Sequence, residues 1–138
     1  MLAFTLKACM VLVGGELLSF VRTSATDRHF YDEAGRVRIF RGGNRVRKSP
    51  PWYFEDELAS DREAQVMEDL GLNFVRLGFM WTGFNPQPGV FNFTYARIMT
   101  DIIDRFSKHG IYTLIDLHQD GLSSRFCNYD GAPEWVSN

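Results

Sequence analysis

Two periods of hydrophobic spacing run through this chain, and the switches between them mark its elements. The clearest helical signal is Tyr95, Ile98, Met99, Ile102, Ile103 and Phe106, at i, i+3, i+4, i+7, i+8 and i+11. Thr94 stands where an N-cap belongs, Lys108 and His109 complement the dipole at the far end, and Gly110 closes the helix. An earlier helix is predicted from Ser60 and Glu63, spaced as a capping box, to Gly71. Its apolar stripe is Ala64, Met67 and Leu70, with Val66 alongside. Between the two helices, Phe74-Val75-Arg76-Leu77-Gly78 reads as a short strand, followed by a long loop from Phe79 to Phe93. Upstream, Phe30 to Phe40 reads as a hairpin, with turn chemistry in Asp32 to Gly35 and alternation in Val37-Arg38-Ile39. Its second arm runs into Arg41-Gly42-Gly43-Asn44, where paired glycines allow close backbone approach.

The last periodic stretch, Ile111 to Asp120, begins as a β-branched and aliphatic run of the kind that is buried on both faces of a sheet. It then turns polar at alternate positions. With a side-chain period of two, Asp116, His118 and Asp120 share one face as long as the chain stays extended. In parallel α/β folds the C-terminal ends of the strands face the ligand, so this stretch reads as the floor of an active site. The element order is hairpin, strand, helix, strand, helix, strand. Each strand–helix unit takes roughly 35 residues, as in a (β/α)8 barrel, which needs about 250. The chain therefore reads as α/β: about the first three units of a TIM barrel, preceded by a β-hairpin. The expectation is a truncated barrel over residues 26–138.

The N-terminal segment adds a destination. An apolar run from Ala8 to Val21, with Lys7 before it, is too short and too interrupted to span a bilayer and reads as a signal peptide over residues 1–25. Asn92-Phe93-Thr94 is an N-glycosylation sequon, with Asn92 the acceptor, in keeping with the secretory route. An extracellular or digestive, lysosome-like compartment is expected. A net charge of −2 without a basic patch speaks against nucleic acid. The two cysteines, Cys9 and Cys127, form neither a disulfide framework nor a metal-ligand spacing.

Arg76 lies mid-strand among apolar neighbours and points away from Val75 and Leu77. A guanidinium there stays charged and needs a carboxylate, and Asp116 or Asp120 on a neighbouring strand are its candidate partners. The Asp116-x-His118-x-Asp120 pattern admits two chemistries. A metal site would need further ligands, and the remaining histidines, His29 and His109, fall in the hairpin and at a helix end. A polyol site uses carboxylates and imidazole as directional partners for sugar hydroxyls, with Trp faces for stacking.

Several further patterns occur in fixed order. They are Gly35-Arg36-Val37, Ile39-Phe40-Arg41-Gly42-x-Asn44, Lys48-x-Pro50-Pro51-Trp52, Asn73 to Gly78, Trp81 and Gly83, Pro86-x-Pro88-Gly89, Asp116 to Asp120, Phe126-Cys127 and Gly131-Ala132-Pro133-x-Trp135. Together they resemble the endoglycoceramidases, (β/α)8-barrel members of glycoside hydrolase family 5, over about residues 30–138. The resemblance implies retaining hydrolysis of the glycan–ceramide bond of glycosphingolipids, with a lipid surface in reach of the substrate and with no cofactor or metal. It assigns Arg76 to orienting the nucleophilic glutamate and His118 to the end of the third strand. Lys48, Asp116, Asp120 and Asn44 it assigns to shaping the site or holding the sugar. Retaining chemistry needs two carboxyls about 5 Å apart. The family's two glutamates have no counterpart here, so both are expected beyond Asn138, and Glu134 reads as a solvated loop residue. The competing expectations are another family 5 endoglycosidase acting on β-glucan or β-mannan, and a truncated product that binds glycan or glycolipid without cleaving it. The oligomeric state is open.

Overall fold

A parallel three-stranded sheet positions everything else in the computed structural model, which describes residues 18–126 and 130–137. Its strands are β4 (Gly42–Arg45), β5 (Phe74–Phe79) and β6 (Tyr112–Leu117), in the order β4-β5-β6. Before it come β1 (Arg22–Thr23), β2 (Phe30–Tyr31) and β3 (Val37–Arg38), an antiparallel sheet in the order β1-β2-β3. The helices are α1 (Asp56–Ala59), α2 (Arg62–Asp69), α3 (Trp81–Phe84) and α4 (Phe93–Lys108), with a 3-10 turn at Glu134–Ser137. Parallel strands joined through helices make this the opening part of a (β/α) barrel. Most of the segment read as a signal peptide, with Cys9, Cys127 and Asn138, lies outside the described residues. Among the described residues, no helix is long and apolar enough to cross a membrane.

One face of the sheet is sealed by helices. Val75 and Leu77 on β5, with Ile111, pack against the predicted stripe of α4, where Tyr95, Met99, Ile102 and Phe106 are all buried. Each such side chain contributes about 1.5–3 kcal/mol by leaving water. Ala64 and Met67 of α2 join the same core. The far side of the hairpin sheet meets the N-terminal ends of β5 and β6 through Phe40. Its ring lies 5.2 Å from Phe30, 5.2 Å from Phe74 and 5.4 Å from Tyr112.

Several local expectations need correction. The hairpin arm does not run on as one strand: β3 belongs to one sheet and β4 to another. Gly42 explains the sharp entry, because a Cβ there would sit 1.5 Å from the carbonyl oxygen of Phe74. Ser60 does not cap α2; the N-cap is Asp61, and Glu63 turns instead to Arg45 Nη1 at 3.4 Å. A largely buried guanidinium that needs carboxylates outbids a local cap. Leu70 is 70% exposed, since it is the C-cap residue and lies past the last packed turn. Gly71, at φ 69, ends that helix as expected: its N–H reaches Glu68 O, and the Leu72 N–H reaches Met67 O. α4 starts earlier than expected. Asn92, not Thr94, caps it, with its side-chain oxygen accepting from Tyr95 N at 3.0 Å. The loop expected from Phe79 holds the last residue of β5 and the single-turn α3.

Candidate active site

Because β4, β5 and β6 are parallel, their C-terminal ends open on one side of the sheet. Register then decides which side chains meet. Asn44 pairs with Arg76, and Arg76 with Leu114. Paired residues of parallel strands share a face, so Asn44, Arg76 and (one repeat past Leu114) Asp116 all point away from the helices. Gly78, opposite Asp116, leaves this face open, since a Cβ there would press to 2.9 Å on Val46.

Arg76 Nη2 donates to Asp116 Oδ2 at 2.7 Å, which supplies the carboxylate the sequence demands. Asn44 Oδ1 stands 3.5 Å from Arg76 Nη1. The pairing with β5 continues one residue past β6, where the His118 N–H donates to Phe79 O at 3.2 Å. The extended alternation therefore persists, and His118 lands on the same face as Asp116. The imidazole is buried. Its Nδ1 lies 2.9 Å from Asp116 Oδ2, and its Nε2 lies 3.3 Å from Asp120 Oδ2 without hydrogen-bond geometry. Lys48, from the loop after β4, donates its ammonium to Asp120 Oδ2 and, at 3.0 Å, to Asp130 Oδ2.

This lysine sets the local electrostatics. Its bond to Asp120, and then the one to Asp130, push the Lys48 ammonium above the usual lysine range. The same Lys48 bond holds the Asp120 carboxyl below its ordinary value. Donor atoms of His118, Asp120 and Asp130 lie within 4.8 Å of one another, a spacing that a metal ion could use. Lys48 already places a fixed cation on both of those carboxylates, so a metal would have to displace it.

The structure thus brings Asn44, Lys48, Arg76, Asp116, His118 and Asp120 into one continuous network. Asn92 lies apart from it, exposed at the head of α4, beside a cleft lined by Trp52, Tyr53 and Pro86. Trp135 turns its Nε1 to Asn85 O at 3.1 Å and meets Trp81 edge-on at 6.2 Å. Glu134 is exposed and accepts from Ser124 Oγ at 3.0 Å. Sequence reasoning missed Asp130, which is only 2% exposed. Its one signal was an acid directly before the Gly131-Ala132-Pro133 run.

Chemically the network presents ammonium and guanidinium donors, carboxylate acceptors and an imidazole on one face of the sheet. The carboxylates of the cluster are taken up by Arg76, Lys48 and His118. The glutamates in ion pairs among the described residues lie elsewhere, Glu57 and Glu63 on Arg45 and Glu68 on His109.

A parallel β/α sheet with such a rim at its strand ends defines the class: one side of a (β/α) barrel. The family model "Cellulase (glycosyl hydrolase family 5)" matches residues 32–138. The chain belongs to glycosyl hydrolase family 5. It is 40% identical over 112 residues to an endoglycoceramidase of Cyanea nozakii, covering 78% of this chain and 22% of that protein. An endoglycoceramidase of Hydra vulgaris is 33% identical over 132 residues, covering 92% of this chain and 25% of the relative. Among solved structures, endo-glycoceramidase II from Rhodococcus sp., in complex with a five-membered iminocyclitol, superposes with a TM-score of 0.66 at 28% identity. That match covers 81% of this chain and 26% of the other. The chain therefore spans about a quarter of the length of these relatives.

Proposed function

We propose that the protein is a retaining endoglycosidase that cleaves the bond between glycan and ceramide in glycosphingolipids, and that this chain forms the wall that holds the sugar. The observation that carries this reading is His118 seated between Asp116 and Asp120 at the end of β6, with Arg76 and Lys48 closing the array from the neighbouring elements. In it, Lys48, Asp120 and Asp116 bind hydroxyls of the sugar next to the ceramide. Asn44 assists Arg76, and Arg76 with His118 orients the glutamate pair, which belongs to barrel strands not among the described residues. Alone, the chain binds and does not cleave. The secretory route belongs to the same proposal and is supported by the exposed Asn92 sequon.

The test is a parallel assay of the full-length protein on a glycosphingolipid and on soluble β-glucan and β-mannan. Release of intact oligosaccharide from the glycolipid, at a rate well above either glucan or mannan, is the expected result. Preference for a soluble polysaccharide would move the protein to another activity of the family. A reading frame that closes without a glutamate pair would make it a binding product.

A further inference from the structure

Lys48 is an awkward residue to entrust with a ligand. It sits in an irregular segment after β4 on a flexible four-carbon stem, with 51% of its side chain exposed. Its contact with Asp120 joins two exposed groups, Asp120 itself being 58% exposed, and such pairs are screened and worth little on their own. Asp130 differs. Its side chain is 3% exposed, it accepts from Lys48 Nζ at 3.0 Å, and its Oδ1 is buried without a partner among the described residues. A buried carboxylate is costly unless paired, so Asp130 depends on the ammonium more than exposed Asp120 does, although Asp120 makes the shorter contact and raises the Lys48 ammonium more.

The backbone at Asp130 and Gly131 is itself anchored. The Asp130 carbonyl accepts from Asp120 N at 3.2 Å, and the next carbonyl, that of Gly131, accepts from Thr82 Oγ1 at 3.1 Å. Gly131 is packed so tightly that a Cβ there would lie 2.6 Å from Ser123 N. With two N–H groups of the ammonium taken by Asp120 and Asp130, the third remains for a ligand.

We infer that Asp130 is a positioning residue that fixes Lys48 from beneath and thereby sets how tightly the site holds a sugar hydroxyl. This rests on the proposed sugar-holding role of the site. Asp130 does not touch the reacting bond, so its effect falls on binding and leaves the chemical step alone.

In the full-length protein, Asp130→Asn raises KM for the glycosphingolipid about tenfold or more, the size of one charge-assisted hydrogen bond, and changes kcat less than about twofold. In a Lys48→Met background the same substitution adds nothing further to KM. An unchanged KM, a loss confined to kcat, or additive effects of the two substitutions would overturn the assignment. A second measurement needs no turnover: acetic anhydride labelling of Lys48, read by mass spectrometry. Asp130→Asn accelerates labelling strongly, and Asp120→Asn only slightly. The reverse order overturns the inference. If the wild-type protein cleaves no glycolipid, the functional reading fails, while the labelling order still decides the role of Asp130. Should Asp130→Asn not fold, retained protection of Lys48 in Asp120→Asn supports the inference, and lost protection refutes it.

Discussion

Asp116 serves two partners with a single oxygen, Oδ2, which receives Arg76 at 2.7 Å and His118 at 2.9 Å. Lys48 and Asp120 form the neighbouring pair, and its pH range follows from the two shifts. The lowered Asp120 carboxyl keeps its charge until pH falls through a value below the ordinary carboxylate, about 3.9. The raised Lys48 ammonium keeps its proton until pH rises through a value above the ordinary lysine, about 10.4. The contact therefore survives between those limits. An NMR titration of the Asp120 carboxyl should show it protonating at a lower pH than an ordinary aspartate, and Lys48→Met should move that midpoint back up. Tyr95 makes a second residue-scale case. Burial pushes its phenol up to about 12, and the hydroxyl accepts from Met80 N at 3.0 Å. Tyr95→Phe strands that buried N–H and should cost about 1–3 kcal/mol in a denaturant melt. The period of two in Asp116-x-His118-x-Asp120 was enough to place the imidazole and its acids on one face, and the lone charge in β5 was enough to require a carboxylate, though not to choose Asp116 over Asp120. Asp130 was illegible, because its contact with Lys48 joins two loops that no periodicity relates.

At the scale of elements, α4 was legible almost residue for residue, because a stripe that packs on a sheet must repeat at the helical period. Ile102, at 0% exposure, sits at the centre of that stripe. Ile102→Ala should lower stability by about 2–5 kcal/mol, read as a lower denaturant midpoint at unchanged slope. Asn92→Ala removes the cap oxygen and should cost about 1 kcal/mol. It also abolishes the sequon, so Thr94→Ala, which removes the sequon alone, separates the two effects. Helix starts were the weak point. Both Ser60 and Thr94 have cap chemistry, but Arg45 had already recruited Glu63, and Asn92 lies nearer the true first turn. Caps compete locally with several equivalent candidates, and tertiary ion pairs decide between them.

At the scale of the molecule, two sheets meet through Phe40. Phe40→Ala removes three ring contacts, each worth about 0.5–1.5 kcal/mol, and should loosen the hairpin before the parallel sheet. Amide exchange would register this as faster exchange in β2 and β3 than in β5. The split into two sheets was not visible in the sequence, because the arm from Val37 to Asn44 keeps extended character throughout and only Gly42 marks the break. The α/β alternation was visible, because helix and strand periods differ and glycines punctuate the changes.

Among the described residues no strand adjoins the outer edge of β6, where Leu114, Ile115 and Leu117 are 50%, 52% and 77% exposed. A row of open amides and carbonyls flanked by greasy side chains is adhesive towards any extended polypeptide. Such an edge is where this sheet would accept a further strand, whether from its own protein or from another.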